Sequence, residues 1–312
     1  MLLGLISVIA IQPVFATEPV GTDADDPAIW VNRHNRSQSL IFGTDKAVDK
    51  GGLFAFNLEG KVVQRIENLK YPNNCDVWGN LLVVSERDRN RVIFYSINAK
   101  TGALTDVTGD SGVVTKPMGV AFYRRERDGA VFVFVSPKAG DRDGYLAQYR
   151  LVQGSDGRYG TKLVRKLGKF SGVDEIESIA VDHDRGLVYY SDEGVANRVY
   201  QADPALAGDP FVTGFNTRGM GGDHEGIAVT KDFVFTTDQR EGNAQYRVFD
   251  RWQTGRMVGT LSIGADSTDG IDATQENLGP RFPEGIFVAM NSKDRNFLIA
   301  DFREVRRAFP LR

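Results

Sequence analysis

The stretch "DHEGIAVTKDFVFTTDQ" (residues 223–239) contains two features that recur along the whole chain. It opens with Asp223 and Glu225 before a short apolar run, turns, and continues through a second apolar run into Asp238 and Gln239. Short runs rich in β-branched and aromatic residues, separated by polar turns, indicate β-strands. Two acids spaced two apart face the same way on an extended chain. Their repulsion therefore calls for a positive partner.

The opening feature recurs six times at intervals of about 50 residues. Its copies are "DDPAIWV", "NCDVWG", "PMGVAFY", "EIESIAVD", "HEGIAV" and "PEGIFVA", which align on Asp26, Asp76, Met118, Glu177, Glu225 and Glu284. Most copies are followed by further strand-like runs. Six units of this length, each with several strands, predict an all-β, six-bladed β-propeller that forms a single domain.

The second feature is a polar residue at the end of an apolar run. Its copies end in Asp45-Lys46, Glu86-Arg87, Lys138, Asp192-Glu193, Asp238 and Asp301. Equivalent positions in successive blades form rings about the propeller axis. We therefore expect one end of the channel to be lined by carboxylates, interrupted by Lys46, Arg87 and Lys138.

Composition limits the remaining possibilities. The chain has 312 residues, 41% of them hydrophobic, and a net charge of −3, so no basic footprint favours nucleic acid. Residues 1–16 resemble a signal peptide cleaved after Ala16, although they lack a basic n-region. We therefore expect a secreted or periplasmic, monomeric propeller over residues 17–312, with no membrane segment once the signal is removed. The single cysteine, Cys75, excludes an internal disulfide and is expected to be a small buried hydrophobe.

The clustered carboxylates select a hard cation, and we expect this cation to be Ca²⁺. The stretch "ADSTDGIDAT", with Asp266, Asp269 and Asp272, supports this prediction. Lysine and arginine beside such a site suit a polyanionic, phosphorylated substrate. A metal can supply a nucleophilic water without a protein nucleophile, and the chain has no G-x-S-x-G elbow.

These stretches resemble the β-propeller phytases, which are calcium-dependent phosphatases. The resemblance runs from residue 25 to about 301 and is carried by "DDPAIWV", "NNCDV", "DEIESIAVDHDRGLVYYSDE", "DHEGIAV", "GNAQYRVFDR" and "DSTDGIDATQENLGPRFPEGIFVA". It implies hydrolysis of phytate (myo-inositol hexakisphosphate) by a metal-activated water, without a covalent enzyme intermediate.

The resemblance also implies roles for individual residues. Calcium ligands would be Asp26, Asp76, Glu177, Glu193, Asp223, Glu225, Asp266, Asp269 and Asp272. Phosphate-binding residues would be Lys46, Arg87, Lys138, Gln239 and Asn243. The catalytic set would be Glu177, Asp223, Glu225 and Lys46.

Two departures from the family pattern concern the substrate pocket. Met118 stands where a site tyrosine is common, and Ala139 stands where an acid follows the pocket lysine, a role that Asp141 or Asp143 could take over. Two alternatives therefore stay open: a calcium-dependent propeller lactonase or esterase, and a non-catalytic ligand-binding propeller. Three spread bases argue against the lactonase.

Overall fold

The computed structural model describes residues 8–206, 210–216 and 219–311, and these form six β-sheets arranged as a propeller. The predicted fold class and blade number are confirmed. Within each blade the strands run antiparallel, in sequence order from the channel outward in blades 1 to 4.

The strands are short, and one α-helix follows the last of them. In chain order, β1 (Val8–Ala10) and β2 (Phe15–Ala16) precede blade 1, which contains β3 (Ala24–Trp30), β4 (Leu40–Asp45), β5 (Gly51–Phe56) and β6 (Val62–Leu69). Blade 2 contains β7 (Pro72–Trp78), β8 (Leu81–Glu86), β9 (Arg91–Ile97) and β10 (Leu104–Asp106), and blade 3 contains β11 (Pro117–Arg124), β12 (Val131–Pro137), β13 (Asp143–Gln153) and β14 (Tyr159–Lys169). Blade 4 contains β15 (Ile179–Asp182), β16 (Leu187–Asp192), β17 (Ala196–Gln201) and β18 (Phe211–Asn216), and blade 5 contains β19 (Ile227–Val229), β20 (Phe233–Asp238), β21 (Gln245–Asp250) and β22 (Met257–Ser262). Blade 6 contains β23 (Ile271–Thr274), β24 (Ile286–Asn291) and β25 (Asn296–Asp301), followed by α1 (Phe302–Ala308); 3₁₀ turns span Arg36–Gln38 and Arg87–Arg89.

The hydrophobic core lies between the faces of neighbouring blades. The second strands of the blades, such as β4 and β24, are buried on both faces and are mostly apolar, whereas the outermost strand β6 alternates largely between half-buried and exposed residues. Aromatic pairs join the blades, as where the rings of Phe235 in blade 5 and Phe287 in blade 6 lie 5.1 Å apart. Cys75 is buried in this core, as predicted.

Blade 6 is closed by the beginning of the chain. Strand β2 pairs antiparallel with β25, and β1 adds a parallel fifth strand to blade 5 through β22. Between them, the N–H of Ile11 donates to the carbonyl of Ser262 at 2.9 Å, and the Ile11 side chain is buried. Residues 8–16 therefore contribute to two blades.

This arrangement bears on the predicted signal peptide. Its residues 1–7 lie outside the described residues, while cleavage after Ala16 would remove β1 and β2. No helix in the described part of the chain is both long and apolar enough to cross a membrane. Secretion itself stays a prediction.

We expect a chain that begins at Thr17 to be less stable than one that begins at Val8, by about 3 kcal/mol or more. The shorter chain loses the burial of Ile11 and the inter-strand hydrogen bonds of β1 and β2. Thermal unfolding of the two purified chains measures the difference. Equal melting temperatures would mean that residues 8–16 add nothing to the propeller.

The structure corrects the predicted strand assignment in blade 6. The stretch "PEGIFVA" forms β24, the second strand, whereas the inner strand β23 lies in the Asp-rich stretch "TDGIDAT". Glu284 is consequently on the surface, where it pairs with Arg306 at 2.8 Å. Asp301 ends the third strand and caps α1 by accepting the N–H of Arg303. A short apolar run does not reveal which strand of a buried sheet it forms; only the pairing does.

Three acids on inner strands bond to the next blade around the ring. Asp272 accepts the N–H of Ile29 at 2.8 Å, Asp26 that of Cys75 at 2.9 Å, and Asp76 that of Phe122 at 2.6 Å. Burial raises the pKa of Asp76 and of Asp272 to about 7. These carboxyl groups join blades 6, 1, 2 and 3 in order along the channel wall.

Replacing Asp76 with alanine should lower the free energy of unfolding by about 1–3 kcal/mol, because the buried N–H of Phe122 loses its acceptor. Asp88→Ala is the matched control, since Asp88 is exposed beyond the end of the same hairpin. Denaturant unfolding of both variants checks this. An Asp76 variant as stable as the control would show that the hydrogen bond between Asp76 and Phe122 does not stabilise the fold.

Candidate functional site

The strand pairing identifies which residues surround one mouth of the channel. The equivalent central pairs of the six blades are Ala28↔Phe42, Asp76↔Val83, Ala121↔Phe134, Ala180↔Tyr189, Ala228↔Phe235 and Asp272↔Val288. The residues three positions before the first member form what we call the strand-start ring: Asp25, Asn73, Met118, Glu177, Glu225 and Asp269.

Two further rings follow from the same pairs. The residues four positions after the second member of each pair form what we call the strand-end ring: Lys46, Arg87, Lys138, Glu193, Gln239 and Ser292. The residues five positions before the first member of each pair form what we call the loop ring: Asp23, Tyr71, Lys116, Glu175, Asp223 and Ser267. In blades 1 to 5 the N–H of the strand-end residue donates to the carbonyl of the loop-ring residue of its own blade, at 2.8–3.2 Å. The three rings thus form one connected surface.

Buried side chains just before the strand-end ring hold the loops. Asp45 accepts the N–H groups of Thr22 and Asp23, and Glu86 accepts that of Lys70. Asp192, Asp238 and Asn291 accept loop N–H groups in the same way. The acids at Asp45, Glu86, Asp192 and Asp238 were predicted to line the channel mouth. Their role is instead to fix the incoming loops.

Charge is divided between the two halves of the mouth. Across the three rings, blades 4 to 6 carry six carboxylates and no cation: Glu177, Glu193, Glu175, Glu225, Asp223 and Asp269. Blades 1 to 3 carry four cations and two carboxylates: Lys46, Arg87, Lys138, Lys116, Asp25 and Asp23. A polyanion and a cation could therefore bind side by side.

Lys46 lies where the two halves meet. Its Nζ is 3.0 Å from Asp25 Oδ1 and 2.6 Å from Asp269 Oδ2. Burial alone would lower the pKa of Lys46, but these carboxylates outweigh it, so the pKa is raised and the ammonium stays charged. Gln239 Nε2 donates to the other oxygen of Asp269 at 2.5 Å. Asp25 and Asp269 therefore share one built-in cation, which offsets part of their negative charge.

The acidic half has too little positive charge of its own. Burial, with the charge of Asp25, raises the pKa of Glu177 to about 8, and burial, with the charge of Asp269, raises that of Glu225 to about 11. Asn73 Nδ2 donates to Glu177 at 2.5 Å and supports its carboxylate. Buried acids this close together need either protons or an added cation.

A cation fits the chemistry of three neighbouring acids. Asp174, Glu175 and Glu193 each offer an oxygen, and these atoms lie within 4.8 Å of one another, a span that a Ca²⁺ ion with ligands at about 2.3–2.6 Å can bridge. Glu193 Oε1 is buried without a hydrogen-bond partner. Burial and the charge of Glu177 raise the pKa of Glu193 to about 9. Burial and the charges of Asp174 and Glu175 also raise the pKa of Asp223, which lies beside them.

The basic half presents a guanidinium supported by an aromatic ring. Arg87 is 7% exposed, and its Cζ lies 4.0 Å from the ring centroid of Tyr71. No carboxylate pairs with Arg87 among the described residues, and its Nε has no hydrogen-bond partner. Lys138 is exposed at the rim and forms an ion pair with Glu175. Arg87 is thus a buried charge available to an anion.

The structure brings together most, but not all, of the predicted site residues. The three rings contain Lys46, Arg87, Lys138, Gln239, Glu177, Glu193, Asp223, Glu225 and Asp269. Asp26, Asp76 and Asp272 instead accept backbone N–H groups along the channel wall. Asp266 accepts the N–H of Gly242 at 2.5 Å in the loop before β23. Asn243 is exposed, and its Oδ1 accepts the Ser262 hydroxyl at 2.5 Å.

The alignment on Asp26 and Asp76 missed the ring positions of blades 1 and 2. The strand pairing places these positions at Asp25, one residue earlier, and at Asn73, three residues earlier. Sequence reasoning also missed Asp174 and Glu175. The signal for them was the run of acids in "DEIES", in which only Glu177 was singled out.

Comparison with known proteins identifies the family of the chain. A sequence model of the phytase family matches residues 6–305. The chain is 28% identical to a 3-phytase of Bacillus subtilis (strain 168), over 93% of this chain and 82% of that protein. Regucalcin of Agrobacterium tumefaciens, a calcium-binding protein, is similar in fold alone, with a TM-score of 0.57 and 12% identity over 97% of this chain and 92% of that one. The chain belongs to the phytase family.

Proposed function

We propose that this protein is a calcium-dependent phosphomonoesterase that hydrolyses phytate to lower inositol phosphates and phosphate, without a covalent enzyme intermediate. The observation that carries the proposal is the division of charge at the channel mouth, with six ring carboxylates on blades 4 to 6 opposite four ring cations on blades 1 to 3. Membership of the phytase family supports it.

The acidic half would hold the calcium ions. Asp174, Glu175 and Glu193 have the spacing for one ion, and Glu177, Asp223 and Glu225 adjoin them. Calcium, when bound there, supplies Lewis acidity toward a phosphoryl oxygen and a nucleophilic water near neutral pH. Asn73 keeps the Glu177 carboxylate oriented through its 2.5 Å hydrogen bond.

The basic half would hold the phosphates. Arg87 has a planar fork that can bind a phosphate through two hydrogen bonds, and the Tyr71 ring restricts its movement. Lys46 lies between the halves, close enough to the acids to contact a phosphate shared with the metal. Lys138 is exposed and can exchange its half-buried partner Glu175 for a phosphate, particularly when Glu175 binds a cation instead.

The charge of the basic half distinguishes this proposal from the alternatives. A lactone or a simple ester is uncharged and gains nothing from a buried, unpaired guanidinium such as that of Arg87, whose desolvation is costly. A polyphosphorylated ring would compensate that charge. A non-catalytic binder remains the outcome if binding occurs without turnover.

The decisive experiment is phosphate release from inositol hexakisphosphate in calcium and in EDTA. We expect release only with calcium, and Glu177→Gln should reduce it at least about 100-fold, because a ligand charge is lost at the centre of the acidic half. Glu284→Gln is the matched control, since Glu284 lies on the surface with Arg306. Undiminished release in EDTA, or by the Glu177 variant, would reject the proposal.

Stability should depend on pH in a direction set by the buried acids. The folded-state pKa values of Glu177 and Glu193, about 8 and 9, lie above the usual 4.5, so without metal the folded state retains protons that the unfolded state has lost. The stabilisation of the folded state by these two groups is fully present below pH 4.5 and is lost as the pH rises toward 9. In EDTA the melting temperature should therefore fall from pH 5 to pH 9.

Calcium should reverse this trend, because it replaces the protons on the same carboxylates. The rise in melting temperature on adding calcium should be larger at pH 9 than at pH 5. Scanning fluorimetry across this range measures both. A melting temperature in EDTA that rises with pH would show that the acids are not held protonated.

A further inference from the structure

We propose that Lys116 is an additional substrate-binding residue, which acts with Arg87 on a second phosphate and favours polyphosphorylated substrates over simple monoesters. This inference rests on the proposed function. Lys116 was not among the predicted site residues. It occupies the loop ring in blade 3, next to the blade that carries Arg87.

The charge balance of the mouth singles out Lys116. Lys46 is paired with Asp25 and Asp269, and Lys138 with Glu175. Lys116 is exposed, and its ammonium has no carboxylate or hydrogen-bond partner among the described residues. Of the four ring cations, Arg87 and Lys116 are therefore the two whose charge the protein itself does not neutralise.

The loops carrying these two cations are joined by Asn90. Asn90 follows the 3₁₀ turn Arg87–Arg89, and its Oδ1 accepts the N–H of Lys116 at 2.7 Å. Its carbonyl accepts the N–H of Val113 at 3.1 Å. Blade 3 has Pro137 where other blades have the buried loop-holding acid or amide, so Asn90 of blade 2 takes over that function. The positions of Arg87 and Lys116 are thereby linked.

The backbone at Lys116 is also held in an uncommon conformation. Its φ is +48°, in the left-handed region that favours glycine and asparagine. Tyr71, which supports Arg87 from the same ring position in blade 2, has φ +55°. The carbonyl of Lys116 accepts the N–H of Lys138 at 2.8 Å. Hydrogen bonds at both the N–H and the carbonyl of Lys116 therefore fix the point on the rim from which its side chain extends.

The consequence concerns substrate class. A monoester has a single phosphate, which the acidic half with its metal and Lys46 would engage. A ring carrying further phosphates would extend one of them toward blades 2 and 3, where two uncompensated cations lie on linked loops. Two cations on one phosphate give charge-assisted hydrogen bonds that a monoester cannot form.

The test compares Lys116→Gln, Lys116→Arg and Lys116→Gly with the wild type in calcium. The measured quantity is kcat/KM for inositol hexakisphosphate divided by kcat/KM for p-nitrophenyl phosphate. We expect the ratio to fall about five- to tenfold in the glutamine and glycine variants, mainly through KM for the hexakisphosphate, and to recover with arginine. Glycine adopts φ +48° without strain, so a lower ratio in the glycine variant reports loss of the charge rather than misfolding.

Lys100→Gln is the matched control, because Lys100 is an exposed lysine in the β9–β10 turn at the opposite end of blade 2. It should leave the ratio at the wild-type value. A wild-type enzyme that hydrolyses the hexakisphosphate while Lys116→Gln keeps the same ratio would overturn the role of Lys116 and leave the proposed function intact.

A binding measurement covers the case in which the wild type shows no turnover, which would reject the proposed function. Calorimetric titration with inositol hexasulfate, a polyanion of the same shape, then decides. Weaker binding by Lys116→Gln than by wild type would support the polyanion site at Lys116. Equal binding, or none by either protein, would overturn it.

Discussion

The channel mouth depends on a buried hydrogen bond beneath it, which in five of the six blades joins a side chain at the end of the second strand to the loop entering the inner strand. Asp45, Glu86, Asp192, Asp238 and Asn291 provide this acceptor. In a low-dielectric setting such bonds are costly to break, since the amide would be left unsatisfied. They fix loop backbones, and through these the three rings, before any ligand is present.

This shared scaffold supports an unequal distribution of function. Equivalent ring positions carry Lys46 in blade 1 and Glu193 in blade 4, although their backbones make the same hydrogen bond. The blades therefore share one backbone arrangement, while the side chains at equivalent positions differ and determine the chemistry of each blade. The ring acids of blades 4 and 5 tolerate burial when protons or a cation balance them, whereas Asp25 of blade 1 and Asp269 of blade 6 share Lys46. Asp223 and Glu225 accordingly depend on protons or an added cation rather than on one positively charged side chain.

The fold was predictable because apolar strands recur with a near-constant period, and that signal survives loops of different length. The site was predictable only where the repeat had no ambiguity, as at Glu177 and Glu225. At Asp25 and Asn73 the ring residue is set by the strand pairing, which a run of apolar residues does not encode. In blade 6 the inner strand is four residues long and follows an Asp-rich turn, so β24 resembled it. Lys116 carries no local signal, since its importance comes from the lack of a partner in the folded ring.

The closure of blade 6 by both ends of the chain has a consequence for biogenesis. Strand β2 emerges from the ribosome almost three hundred residues before its partner β25. During that time its edge and the apolar surface of β1 are unpaired, and the propeller is an open arc. Blades 1 to 4 consist entirely of consecutive strands and can form during synthesis. The ring can close only once β25 has been made, so β2 waits longer for its partner than any strand of blades 1 to 4.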